Sequence, residues 1–275
     1  MEKETIPTCV DCGTQNCKYK DRTYPDFCPT DNLKEEDRQW ALERYDEGRN
    51  REIMIASAEV EYEGYCQWTR VQEIMEFARK IGAHRIGIAN CIGLIREARI
   101  FARILRANGF EAYSVICKVA GQPKTSMGIP AQCESIGAAM CNPILQARLL
   151  NEAHTDLNVV IGLCVGHDSL FYKYSDAYVT TLVTKDRVTG NNPTAALYTA
   201  DSYYRKKFFW REIKFNDILL YHATIHRSML RVSSLKFTPT FITFRPSEAK
   251  AEAYPFSSIC CMASSAVPFN LNSIT

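Results

Sequence analysis

The sequence has no apolar run that approaches the roughly 18 residues needed to cross a membrane. Its first seven residues also lack the apolar segment of a secretory signal. An excess of one charge is missing as well, because 33 basic and 31 acidic side chains leave a formal net charge of only +2. We therefore expect a cytoplasmic protein that has neither a membrane nor a nucleic acid as its partner.

Cysteine, by contrast, is abundant, with twelve residues in a chain of 275. The remaining composition, 46% hydrophobic and 23% charged, is that of an ordinary globular protein with a sizeable core. Twelve cysteines are too few for a small disulfide scaffold, yet many for a compartment that keeps thiols reduced. This combination points to metal binding or redox chemistry before it points to cross-links.

Four of the cysteines crowd the polar segment 1–31, with the spacing Cys9-x2-Cys12-x4-Cys17-x10-Cys28. Four thiolates suit tetrahedral zinc or an iron–sulfur cluster. Because this segment has little apolar surface to bury, a bound metal would supply its folding free energy. We therefore predict a structural metal-binding module at residues 1–31. Free thiols, disulfides and a CxxC redox couple are the alternatives.

The residues after this segment show the patterns of an α/β domain, predicted at 32–208. Apolar residues from Leu33 to Gly82 recur at helical spacing, which predicts two or three helices. Four β-branched runs predict buried parallel strands at residues 86–89, 112–116, 158–163 and 178–183. The pairs Asn142-Pro143 and Asn192-Pro193 predict helix starts. The expected fold is a doubly wound, mostly parallel sheet with helices on both faces.

Three of the predicted strands end at or near a cysteine: Cys91, Cys117 and Cys164. The carboxyl ends of parallel strands share one edge of the sheet, where ligands bind in this fold class. Cys141 directly precedes a predicted helix start and should return to the same edge. Amide groups at helix starts also favour thiolates. We therefore predict a second centre, zinc or iron–sulfur, held by these four cysteines; the alternative is that they are small buried hydrophobes.

A polar turn that follows Cys164 carries the candidate catalytic residues His167 and Asp168. His167 could bind a metal or move a proton, and Asp168 could orient His167 or cap the next helix. A thiol-dependent enzyme would use Cys164 as the nucleophile and His167 as its base. Lys118 and the segment 185–187 would add positive charge at the same edge.

The last segment, residues 209–275, shows neither a clean period nor helix caps. It is predicted only as an unassigned C-terminal extension, either a poorly ordered accessory or an out-of-frame run-on. We expect no function there.

Three segments together resemble a known family: Gly162-Leu-Cys-Val-Gly-His-Asp168, Cys91-Ile-Gly-Leu94 and Cys141-Asn-Pro143. The family is the cysteine-rich domain of unknown function 1847, which is labelled metal-binding. The resemblance runs from about Cys9 to about Lys207. It implies a cytoplasmic metal-binding protein of anaerobic microbes, but it supplies no reaction.

Three hypotheses follow from the sequence. The first is a metal-binding protein with zinc or iron–sulfur cofactors, whose partners are the metal ion and, for a redox role, an electron-transfer protein. The second is the thiol-dependent enzyme described above. The third is a non-catalytic metal carrier.

Overall fold

The computed structural model describes residues 8–19 and 23–209. Two short 3-10 helices, Cys9–Asp11 and Asn16–Lys18, begin the described chain. The α-helices are α1 (Glu35–Arg44), α2 (Asn50–Gly64), α3 (Arg70–Lys80), α4 (Ile95–Ala107), α5 (Pro143–Glu152), α6 (His167–Tyr174), α7 (Thr194–Tyr198) and α8 (Arg205–Phe209). The strands are β1 (Arg85–Asn90), β2 (Glu111–Ile116), β3 (Leu157–Ile161) and β4 (Tyr178–Val183). No helix in these two ranges is both long and apolar enough to span a membrane.

The predicted C-terminal extension is described only at its first residue, Phe209, which ends α8. Residues 210–275, with Cys260 and Cys261, lie outside the described residues.

The four strands form one parallel sheet in the order β2-β1-β3-β4. At its carboxyl edge, Asn90 of β1 lies beside Ile116 of β2 and Ile161 of β3. The chain passes from β1 through α4 to β2, and then crosses back through α5 to β3. The direction of winding therefore reverses between β1 and β3. In open α/β sheets, ligands bind beyond the carboxyl ends of the strands at such a reversal.

Each face of the sheet carries its own core. Ile86 and Ile88 of β1 pack with residues of α3 and α4 on one face, whereas Ala89 packs with residues of α5 and α6 on the other. Burying one large apolar side chain contributes about 1.5–3 kcal/mol, so both layers stabilise the sheet substantially. The predicted α/β fold, a parallel sheet with helices on both faces, is confirmed.

Local signals explain where the main helices begin and end. The Oδ1 of Asn142 accepts the amide of Leu145 at 3.0 Å, and Pro143 is the first residue of α5, as predicted. Gly82 lies two residues after the end of α3 with a φ of +65°, and Gly109 lies two residues after the end of α4 with a φ of +87°. This left-handed conformation favours glycine because it has no Cβ.

Two other sequence signals predicted a helix correctly but not its length or its burial. A helix does begin after Pro193, but α7 has only five residues, and no side chain in the described part of the chain caps it. The predicted first helical segment forms α1, yet none of its residues is buried. Trp40 is 60% exposed and lies under the guanidinium of Arg44, 5.4 Å from its ring centroid. The helical spacing there therefore marks local structure rather than a core.

Gly87 in β1 should not tolerate even a methyl group. A Cβ built on it would lie 1.9 Å from the Oδ1 of Asn158 on the neighbouring strand. Asn158 is fully buried and hydrogen-bonds both Thr155 and Ser175 at 2.8 Å. We expect Gly87→Ala to lower the free energy of unfolding by about 2 kcal/mol, measured by urea titration. Gly13→Ala is the control, because its Cβ would meet nothing within 4 Å. Equal stability of the two variants would contradict this account.

Candidate functional site

The structure brings the predicted cysteines of the α/β domain to the carboxyl edge of the sheet. Cys91 and Cys117 directly follow β1 and β2, and Cys141 lies two residues before α5. Strand β3 ends at Ile161, earlier than predicted, so Cys164 lies in the loop before α6. The reason is Gly162, whose φ of +63° turns the chain out of the sheet.

Backbone hydrogen bonds tie these segments together. The amide of Cys91 donates to the carbonyl of Ile161 at 3.0 Å, which joins the ends of β1 and β3. The amide of Cys117 donates to the carbonyl of Asn90 at 2.8 Å, which joins the ends of β2 and β1. The carbonyl of Cys117 in turn accepts the amide of Asn142, also at 2.8 Å. The start of α5 is thereby held against the end of β2.

As a result, three thiols and one imidazole lie beside one another. Cys117 interacts with Cys91 on one side and with Cys141 on the other, and Cys141 interacts with His167, so that each contact shifts the pKa of the groups involved. The backbone amide of Ile92 also donates to the Sγ of Cys117 at 3.3 Å. Cys117 is 2% exposed and Cys91 7% exposed, whereas Cys141 and His167 are half-buried. The side chains of Cys91, Cys117, Cys141 and His167 are called the thiol centre below.

The partner of His167 differs from the one expected. The sequence suggested Cys164, but the imidazole pairs with Cys141. The carbonyl of Cys164 accepts the amides of His167 and Asp168, at 2.9 and 3.2 Å, where α6 begins. Its Sγ instead accepts a hydrogen bond from the guanidinium of Arg187 at 3.0 Å. The side chains of Cys164 and His167 therefore pair with other residues and not with each other.

Asp168 is placed as a local helix residue. Its Oδ1 accepts the amide of Ser169 at 2.8 Å, so its contact is with the first turn of α6. It acts on His167 only through charge, as a minor contribution that raises the pKa of the imidazole.

The hydrogen bonds separate the acidities of the three thiols. Hydrogen bonding from Cys117 lowers the pKa of Cys91 to about 5. Hydrogen bonding from Cys117, with a second contribution from His167, lowers the pKa of Cys141 to about 4. The pKa of Cys117 is correspondingly raised, because its proton is shared with these two neighbours. The Cys141 thiolate raises the pKa of His167. The arrangement thus favours two thiolates flanking one protonated thiol.

The positive side chains expected at this edge face the sulfurs. Lys185 acts electrostatically on Cys91, Lys118 acts on Cys141, and both lower the pKa of their thiol. The hydrogen bond to Cys164 raises the pKa of Arg187. The surroundings of the thiol centre therefore stabilise negative charge on sulfur.

The N-terminal cysteines are less connected. Cys9 and Cys17 are exposed, and Cys12 is half-buried with its Sγ 3.5 Å from the hydroxyl of Thr14, which lowers its pKa. Cys28 is buried in its own turn, where its amide donates to the carbonyl of Pro25 at 2.8 Å. All ten cysteines in the described ranges are free. Within residues 8–19 and 23–209, no group of three or more His, Cys, Asp or Glu side chains is arranged to hold a metal ion.

Sequence reasoning missed two buried amides next to the thiol centre. Gln146 on α5 and Asn90 at the end of β1 are both fully buried. The available signal was the position of Gln146 in the buried stripe of α5 that also contains Pro143, Ala147 and Leu150, since a polar residue in such a stripe needs a partner.

Comparison with known proteins gives a family but no activity. A family model described as "Protein of unknown function (DUF1847)" matches residues 28–182, more than half of the 275-residue chain. An uncharacterized protein of Methanocaldococcus jannaschii is 47% identical over 169 residues, which cover 62% of this chain and 86% of that protein. No solved structure matches the chain. The family match includes the whole thiol centre, whereas Cys9, Cys12 and Cys17 lie before it.

Proposed function

The chain belongs to the DUF1847 family of proteins of unknown function, and we propose that it binds a thiophilic metal, as zinc or an iron–sulfur cluster, at its thiol centre. The observation that carries the proposal is that three thiols from three separate connections meet at the carboxyl edge of the sheet and interact with one another and with an imidazole. Cys91, Cys117 and Cys141 would be ligands, and Cys164 or His167 would complete the set. The reducing cytoplasm is the compartment in which such thiols stay free.

The donors fit a soft metal by their chemistry. Thiolate and imidazole are the ligands preferred by zinc and iron, and metal binding requires the thiols to be deprotonated. Two of the three thiols already have a low pKa, so the proton of Cys117 is the main one to be displaced. Among the described residues no group of three or more such side chains is already arranged to hold a metal ion, so binding would require these side chains to rearrange. Bound zinc would supply thiolate activation or rigidity, and a cluster would supply electron transfer to a redox partner.

The N-terminal set of Cys9, Cys12, Cys17 and Cys28 stays a separate prediction of a structural metal. Its support is the spacing of the four cysteines alone, because only Cys28 is buried and only Cys28 lies within the family match.

A thiol-dependent enzyme is the second candidate, and the Cys141–His167 contact favours it. A low-pKa thiolate beside an imidazolium is the arrangement of an activated nucleophile. The Sγ of Cys141 would form a bond to an electrophilic carbon while the leaving group departs with a proton from His167. In this second candidate Cys141 replaces Cys164 as the nucleophile, because the imidazole of His167 pairs with Cys141.

Metal analysis of anaerobically purified protein tests the proposal. We expect at least one metal per chain, with Cys66→Ser as a matched control, because Cys66 is exposed and lies outside both cysteine sets. Iron with inorganic sulfide and visible absorption would identify a cluster, and colourless stoichiometric zinc would identify a zinc site. Protein that is purified without metal and does not take up added zinc or iron would contradict metal binding and leave the Cys141 enzyme.

A further inference from the structure

Gln146 is a buried polar side chain in an otherwise apolar layer. It is fully buried on α5, beside Ala147 and Leu150 of the core. An amide in such a place costs about 1–3 kcal/mol unless hydrogen bonds offset its desolvation. Its Nε2 donates to the carbonyls of Val115 at 2.7 Å and Asn90 at 3.3 Å. Its Oε1, however, has no hydrogen-bond partner in the part of the chain that the structure describes.

The two carbonyls belong to the ends of the neighbouring strands β2 and β1. Asn90 directly precedes Cys91, and Val115 lies two residues before Cys117. The Asn90 carbonyl also accepts the amide of Cys117 at 2.8 Å, so one oxygen joins Gln146 to both strand ends. The Asn90 side chain adds a second link, since its Nδ2 donates to the carbonyl of Cys91 at 3.1 Å and its Oδ1 accepts the hydroxyl of Ser114 at 3.0 Å.

Helix α5 carries the third thiol of the centre. Cys141 lies just before this helix, whose start is fixed by the cap of Asn142. A single side chain of α5 therefore holds the ends of β1 and β2 at a fixed distance from the segment that bears Cys141. An apolar side chain of the same size would fill the space without leaving an unpaired oxygen. The unpaired Oε1 of Gln146 therefore lowers stability, whereas the two bonds of its Nε2 fix the geometry of the strand ends.

We propose that Gln146 is a positioning residue for the thiol centre: by bonding the carbonyls of Asn90 and Val115 it sets the positions of Cys91 and Cys117 relative to Cys141. This inference rests on the proposed function, because it assumes that the three thiols act together on one ligand. Gln146 itself would touch no ligand. It would act through the thiols, just as hydrogen-bond partners of metal-binding side chains hold those side chains in the right orientation.

The test compares Gln146→Met with Asn158→Leu in the full chain. Gln146→Met keeps the size of the side chain but removes the donor. Asn158→Leu removes a fully buried amide at the opposite edge of the sheet, where it bonds Thr155 and Ser175. We expect Gln146→Met to lower the zinc affinity of the thiol centre about tenfold, measured by competition with a chromogenic chelator. Asn158→Leu should lower the free energy of unfolding and leave zinc affinity unchanged.

A second probe separates failure of this inference from failure of the proposed function. Phenylarsine oxide bridges neighbouring thiols and requires no metal site. If the wild type does not bind zinc, the proposed function is wrong, but weaker phenylarsine oxide binding by Gln146→Met still supports positioning. If folded Gln146→Met matches the wild type with both probes, the inference is wrong. Should Gln146→Met not fold, Gln146→Asn keeps the amide one methylene shorter, and unchanged binding by that variant overturns the inference equally.

Discussion

Cys117→Ser is expected to release the metal that we propose for the thiol centre. Cys117 lies between Cys91 and Cys141 in the thiol centre and is 2% exposed, so it would be the central ligand of the proposed set. A serine hydroxyl is a poor ligand for a soft metal. Four-ligand zinc sites bind with about 10–16 kcal/mol in total, so losing one ligand costs on the order of 3 kcal/mol, or about 100-fold in affinity. Metal counted per chain and zinc competition titration measure this loss.

Two comparisons make the Cys117→Ser result specific. Cys133→Ser removes a half-buried thiol that belongs to neither predicted set, and its metal content should equal that of the wild type. Metal bound by the N-terminal cysteines should also survive in Cys117→Ser. Loss of all metal from this variant would contradict two independent sites, and retention of all metal would show that the thiol centre does not bind it.

The place of the thiol centre could be predicted because it follows from strand direction. Parallel strands end at the same edge, so cysteines that follow β1 and β2 meet there regardless of their distance in sequence. The predicted helix start at Asn142 placed Cys141 at the same edge, because a local cap fixes where α5 begins. Hydrophobic periodicity and capping are local properties, and they were sufficient to predict the architecture.

The pairing of side chains could not be predicted in the same way. His167 is three residues from Cys164, yet the first turn of α6 uses the carbonyl of Cys164 and leaves its sulfur to Arg187. The contact of His167 with Cys141 depends on how α6 and α5 pack on one face of the sheet, which no spacing reveals. The bonds of Gln146 to strand ends are long-range for the same reason. Sequence patterns place residues at an edge, and packing then decides which of them touch.

His167→Asn is expected to slow the alkylation of Cys141 at acidic pH in reduced, metal-free protein. The thiolate is the reactive form, so the rate should rise with pH through the pKa of about 4 in the wild type. An imidazolium beside a thiolate favours the charged form, and removing it raises the thiol pKa by about 1–3 units. Taking about 2 units, the rate below both pKa values falls about 100-fold, whereas above both values the two proteins converge. The hydrogen bond from Cys117, the larger cause of the low pKa, remains in the variant.

The measurement is the iodoacetamide labelling rate of the Cys141 peptide as a function of pH, followed by mass spectrometry. His154→Asn is the matched control, because His154 is exposed at the amino edge of the sheet and its φ of +49° suits asparagine. Its profile should match that of the wild type. The same interaction also acts on the imidazole, because the Cys141 thiolate raises the pKa of His167. In Cys141→Ser, which lacks the thiolate, the pKa of His167 should therefore fall toward its ordinary value, and NMR titration can follow this change. Two results would contradict this interaction: an unchanged Cys141 profile in His167→Asn and an unchanged His167 titration in Cys141→Ser. The Cys141–His167 contact would then support neither the metal site nor the enzyme.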